Sequence, residues 1–167
     1  LTELLNTVKH SPCTVLSAAP GAGKTTRVPL AVMEAGFIEG RILMLEPRRL
    51  AAVRSAQYMA QQLGEPVGER VGYRIRGEQK LGKRTRIEVV TEGILARLIQ
   101  ADPELLGIGL IIFDEFHERS LHADLGLALA RDVQKNWRND LRILVMSATL
   151  NGVAISALLD NAPVVTS

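Results

Sequence analysis

Six short apolar runs, at 14–19, 42–45, 87–90, 110–113, 143–146 and 164–165, recur along the chain, with a helix-patterned stretch between each consecutive pair. Each run has strand length and is close to continuously apolar rather than alternating, the pattern of a strand buried on both faces. The intervening stretches, at 25–35, 49–63, 91–101, 121–138 and 153–159, repeat apolar residues every three or four positions. Leu121, Leu125, Ala128, Leu129 and Val133 illustrate the spacing. Alternating strands and helices joined by right-handed crossovers predict an α/β domain of three layers, α/β/α, around a mainly parallel central sheet. Residues 64–86 break the rhythm with glycine, proline and seven cations, which predicts an irregular or short-strand excursion. No internal repeat, low-complexity tract or linker divides the chain, so one domain is expected over 1–167.

Composition narrows the class. An apolar fraction of 47% over 167 residues suffices for one buried core, and a formal charge of +2 excludes a highly charged disordered tail. The charge is unevenly shared: residues 1–100 carry 15 basic and 9 acidic side chains, whereas 101–167 carry 5 and 9. The basic half is therefore the expected polyanion face. Within it, 70–86 holds seven cations and the single acid Glu78, a pattern that suits either a solvated face or a nucleic-acid contact. One cysteine, Cys13, excludes a disulfide framework, and three scattered histidines exclude a four-ligand Cys/His zinc site. The longest apolar run, at 105–113, is far shorter than the roughly 18 residues a membrane span needs. No basic-then-apolar leader opens the sequence, and the reading is a soluble, cytoplasmic chain with no membrane partner.

The first strand leads into Ala18-Ala19-Pro20-Gly21-Ala22-Gly23-Lys24-Thr25-Thr26 and then a helix pattern. Strand, glycine-bearing loop and helix are the parts of a phosphate cradle. Gly21 and Gly23 let successive N–H groups turn inward around phosphate oxygens. Lys24 adds a cation for the β- and γ-phosphates, and the Thr25 hydroxyl can ligate Mg²⁺ at the positive end of the helix. Pro20, Gly21, Ala22, Gly23, Lys24, Thr25 and Thr26 are the expected nucleotide-binding residues. Ala18 stands where the usual pattern has its first glycine, a position that opens the loop.

A phosphate cradle needs a metal partner, and Asp114-Glu115 follows the run at 110–113 directly. Ligands of open α/β sheets gather at that edge. Asp114 is the expected second Mg²⁺ residue, acting through water; Glu115 is the candidate to orient or deprotonate an attacking water. Lys24, Asp114 and Glu115 form the expected catalytic set. His117 and His122 lie five apart, about 140° around a helix, and so cannot form the two-histidine zinc pair of a peptidase.

The string Asp114-Glu115-Phe116-His117 resembles the D-E-x-H box of superfamily 2 helicases. Pro47-Arg48-Arg49 is similar to that family's P-R-R segment, Thr91-Glu92-Gly93 to its T-E-G segment and Ser147-Ala148-Thr149 to its S-A-T segment. Val71-Gly72-Tyr73-Arg74-Ile75-Arg76 resembles the V-G-Y-x-I-R stretch of the DEAH branch, and D-E-F-H is common in the bacterial HrpB-type group of that branch. Phe116, where the wider branch has alanine, is the departure. The resemblance covers about residues 13–150, with the motifs in family order. It implies a RecA-like P-loop NTPase domain of an ATP-dependent RNA helicase, with ATP or another NTP and Mg²⁺ as cofactors. It also implies that Arg48, Arg49, Thr91, Glu92 and Gly93 meet single-stranded nucleic acid, RNA by this likeness. His117, Ser147 and Thr149 are implied to couple the nucleotide site to strand movement and to a second domain. Read from the residues alone, Arg48 and Arg49 also suit a helix surface, Thr91 also suits a helix cap, and Ser147 and Thr149 a cap at the strand end. Tyr58 and Arg54 are candidates to stack on a nucleotide base.

The family's engine has two RecA-like domains, and the second carries a Q-R-x-G-R-x-G-R segment that does not occur in this sequence. The expectation is thus the first of the two, an N-terminal motor domain of a longer protein, nearly inactive by itself. A P-loop kinase and a non-catalytic nucleotide-gated module are the alternatives.

Overall fold

The computed structural model describes residues 1–19, 23–116, 120–148 and 151–167. Among them the strands are β1 (Cys13–Ser17), β2 (Arg41–Leu45), β3 (Val71–Ile75), β4 (Glu78–Lys80), β5 (Ile87–Val90), β6 (Ile108–Phe113), β7 (Arg142–Ser147) and β8 (Val164–Thr166). The helices are α1 (Thr2–His10), α2 (Lys24–Ala35), α3 (Arg49–Gln62), α4 (Glu92–Ala101), α5 (Leu121–Asn136) and α6 (Gly152–Leu158). One sheet holds all eight strands in the order β4-β3-β5-β2-β6-β7-β1-β8. Every pairing is parallel except that of β3 with β4.

The strand side chains alternate between two cores. Leu16, Ile42, Met44, Leu110, Ile112 and Leu144 pack beneath α1, α2 and α3. Val15, Leu43, Leu45, Ile111, Phe113 and Val145 pack on the other face with α4, α5 and α6. Both faces are buried, which is why the runs read as unbroken apolar stretches rather than as alternation. The three-layer α/β/α expectation holds. Each fully buried Leu or Ile in β6 contributes about 1.5–3 kcal/mol of transfer free energy.

The excursion at 64–86 contains β3 and β4, a short hairpin added to one edge of the sheet. Gly72 permits the Lys80 end of β4 to lie close against β3, because a Cβ there would stand 2.1 Å from the Lys80 carbonyl oxygen. Phe116 is buried on the α5 side and meets Phe113 edge to face, with ring centroids 6.2 Å apart. Helix α1 was not foreseen: of its nine residues only Leu4 and Val8 are buried, too few for a periodic pattern. Among the described residues no helix is long and apolar enough to cross a membrane.

Candidate nucleotide site

Four parallel strands end together at one edge of the sheet. Backbone bonds carry their ladders past the last strand residue: Ala18 N–H donates to the Ser147 carbonyl at 3.0 Å, Asp114 N–H to Leu45 at 3.0 Å and Phe116 N–H to Met146 at 3.0 Å. Glu46 N–H donates to Val90 at 2.9 Å. A cleft of about 480 Å³ opens over this edge, lined by Gly23, Lys24, Thr25 and Thr26 from the start of α2, and by Glu46 and Arg48 after β2. Asp114 and Glu115 after β6, Ser147 at the end of β7 and Ala148 after it line it as well.

The start of α2 faces the cleft because Gly23 occupies the N-cap with φ +74°, a left-handed conformation that a side chain would strain. The unpaired N–H groups and positive dipole end of α2 are thereby presented to an anion. The Thr25 hydroxyl donates to Asp114 Oδ2 at 2.8 Å, so the two expected metal residues already stand in contact. Asp114 Oδ1 accepts from the Glu115 N–H at 2.9 Å. Glu115 has φ +52°, in the left-handed region although it is not glycine. Strain of this kind, about 1–3 kcal/mol, persists where surrounding structure imposes it, and it clusters at functional sites.

Two features of the cleft were missed or only half seen in the sequence. Arg48, expected at nucleic acid, donates from Nη2 to both Glu115 carboxylate oxygens, at 2.9 and 2.8 Å. Glu46 was not singled out at all, yet it is 2% exposed and faces Asp114 and Glu115. Burial first, then these two carboxylates, push its carboxyl up to about 10. Its Oε2 has no hydrogen-bond partner among the described residues, and neither has the buried hydroxyl of Ser147. The available signal for Glu46 was an acid placed immediately after a wholly apolar strand.

The donor set suits Mg²⁺. Its hard oxygens belong to one hydroxyl and one carboxylate, with further carboxylates beside them, and Mg²⁺ takes few protein ligands while retaining water and phosphate oxygens. Among the described residues no group of three or more His, Cys, Asp or Glu could hold a metal ion on its own.

Farther along the same edge, Thr91 precedes α4, but its hydroxyl makes no capping bond, so the capping alternative is not realised. Glu92 accepts from the Ser120 hydroxyl at 3.1 and 3.3 Å, and that hydroxyl accepts from Ala123 N–H at the start of α5. Gly93 is exposed, with nothing within 4 Å of the position a Cβ would take. Arg49 is exposed on the first turn of α3. Arg54 and Tyr58 do not line the cleft, and Tyr58 is half exposed. The expectations at Pro20, Gly21, Ala22, His117 and Thr149 lie outside the described residues.

Fold and cleft together define a RecA-like α/β domain whose acid-bearing site opens at a helix N-terminus. The chain belongs to the DEAD/DEAH box helicase family, which it matches over residues 2–157. It is 54% identical over its whole length to the ATP-dependent RNA helicase HrpB of Escherichia coli K12, of which it spans 21%. It is 41% identical over 98% of its length to the ATP-dependent RNA helicase HrpA of Borreliella burgdorferi, of which it spans 20%. The probable ATP-dependent RNA helicase DHR2 of Saccharomyces cerevisiae is 37% identical over 97% of the chain, which spans 22% of that protein. The crystal structure of the E. coli DExH-box NTPase HrpB matches with a TM-score of 0.95 and 54% identity, over 99% of this chain and 20% of that one. The chain thus spans about a fifth of the length of these relatives. The kinase and gated-module alternatives draw no support from the family or these relatives.

Proposed function

We propose that this chain is the nucleotide-binding motor domain of an ATP-dependent RNA helicase, coupling hydrolysis of a Mg²⁺-bound NTP to movement on a single strand. The observation that carries the reading is the meeting of Lys24 and Thr25 from α2 with Asp114 and Glu115 from the segment after β6, in one cleft at the N-terminus of α2. In this reading Lys24 and the N–H groups of α2 hold the phosphates, and Thr25 and Asp114 hold Mg²⁺. The metal, when bound, supplies positive charge for the phosphate oxygens. Glu115 orients the attacking water and takes its proton as the water oxygen bonds to the γ-phosphorus. The bond from that phosphorus to the bridging β-phosphate oxygen breaks, and the β-phosphate leaves with the electron pair.

Arg48 lines the cleft, and Arg49, Thr91, Glu92 and Gly93 follow strands β2 and β5 of the same sheet edge; in this reading the five contact the sugar-phosphate backbone. Such contacts position a strand without reading its sequence. Ser147, with His117 and Thr149, would pass the state of the cleft to the strand and to a second RecA-like domain. That domain is the expected source of an arginine finger, worth about 10³–10⁵ in turnover. The test is a nucleotide titration and steady-state hydrolysis by this chain, with and without single-stranded RNA, beside Lys24→Ala and Glu115→Gln. Binding that is lost in Lys24→Ala, with turnover near background in the chain itself, is the expected result. Fast turnover dependent on Glu115 in this chain alone would overturn the need for a second domain.

A further inference from the structure

Glu46 leaves β2 at the centre of the sheet, between β5 and β6, and its backbone N–H is tied to Val90 at 2.9 Å. So placed, its side chain is 2% exposed and lines the cleft. A buried carboxyl oxygen needs a hydrogen-bond partner, yet Glu46 Oε2 has none among the described residues; the proton that the carboxyl holds is available to Asp114 and Glu115, which accept. An occupant of the cleft is placed to give Oε2 the donor that it lacks. Under the nucleotide reading, on which this inference rests, the occupant includes Mg²⁺ with most of its water shell, and coordinated water is a strong donor.

We propose that Glu46 is a positioning residue of this site, accepting a hydrogen bond from the metal-bound water that Asp114 also holds and so fixing the orientation of the hydrated cation. It acts through water and through Asp114, and touches neither phosphate nor the attacking water. Outer-shell partners of this kind change metal affinity by about 10–100-fold when removed.

The experiment titrates the chain with Mn²⁺ in the presence of saturating ADP, following free Mn²⁺ by electron paramagnetic resonance, with ADP binding in EDTA and thermal unfolding measured in parallel. The variants are Glu46→Gln, which keeps an acceptor carbonyl of the same reach, and two apolar replacements of similar length, Glu46→Leu and Glu46→Met. The apolar variants are expected to lose about tenfold or more in Mn²⁺ affinity, with ADP binding in EDTA unchanged, and Glu46→Gln is expected to recover most of that loss. A purely structural Glu46 would shift the melting temperature and leave the Mn²⁺ titration of both apolar variants like that of the wild type, which overturns the inference. Equal loss in Gln and in the apolar variants would assign the effect to charge rather than to a hydrogen bond, and would overturn it also. A wild-type chain that binds no ADP would overturn the nucleotide reading itself, and with it the role of Glu46.

Discussion

Arg48 holds Glu115 across the cleft, one guanidinium nitrogen reaching both carboxylate oxygens at 2.9 and 2.8 Å. The two residues are 67 positions apart in the chain and belong to segments with different proposed tasks, one at the strand and one at the attacking water. A strand phosphate that captures Arg48 would release Glu115. In a two-domain protein of the kind proposed, Arg48→Ala is expected to leave strand-free hydrolysis at least as fast as in the wild type and to reduce its stimulation by single-stranded RNA. Hydrolysis with and without RNA measures both, and strand-free turnover as low as that of Glu115→Gln would refute the competition. The pair is solvent-exposed on the Arg48 side, so its removal should change stability by less than about 1 kcal/mol.

The Glu46 carboxyl makes stability depend on pH. It ordinarily titrates near 4.5 and here is pushed up to about 10 by burial, Asp114 and Glu115, with Lys24 and Arg48 lining the same cleft. The folded chain therefore keeps a proton that the unfolded chain releases. The stability linked to that proton is complete below about pH 4.5 and is lost as pH rises toward about 10. Glu46→Gln cannot ionise, so in metal-free buffer its melting temperature should gain on the wild type steadily from about pH 5 to about pH 9. Thermal unfolding across that range checks it; an advantage independent of pH would contradict the shift.

Gly93 separates packing from binding. It lies in the first turn of α4 with open space where a Cβ would go, and its φ is not left-handed. Gly93→Ala should therefore leave the fold intact and add up to about 1 kcal/mol of helix stability. If a strand runs past this point, the same methyl should weaken RNA binding. Thermal unfolding paired with fluorescence anisotropy on a labelled single strand reads the two effects separately, and unchanged anisotropy would remove Gly93 from the strand's path.

Gly23 presents the opposite case. Its left-handed φ of +74° means that Gly23→Ala is strained by about 1–2 kcal/mol even though the nearest side-chain atom leaves room for a methyl. That is a fraction of a typical folding free energy of about 5–15 kcal/mol, so the variant should fold with a lowered melting temperature. Its nucleotide affinity should fall more steeply, because the strain is relieved by turning the start of α2 away from the phosphates. Calorimetric titration with ADP alongside thermal unfolding distinguishes this from a purely structural loss.

The layers and most elements could be read in advance because parallel strands buried on both faces leave runs such as Leu110-Ile111-Ile112-Phe113, which water-facing sheets do not produce. The contacts at 64–86 were less legible: the cations hide a hairpin whose edge strand β4 is exposed at every position. In the cleft, Lys24, Thr25, Asp114 and Glu115 could be found because their spacing next to a strand end is itself the chemistry. Glu46 could not. One acid after a strand usually meets solvent, and only the placement of β5 and β6 on either side of β2 buries it. The grip of Arg48 on Glu115 was hidden for a similar reason, since sequence separation conceals which strand ends become neighbours.

The two outermost strands, β4 and β8, are each three residues long, and β4 presents Glu78 and Lys80. A longer, flatter, apolar border would offer its free N–H and C=O groups to any other extended chain, the route by which exposed sheets recruit one another into aggregates. Short borders, one of them carrying charges of both signs, give an incoming strand little to extend and two charges to bury. The long apolar strands beneath the cleft are thereby kept in the interior of the sheet, away from the rims where they would make the domain prone to self-association.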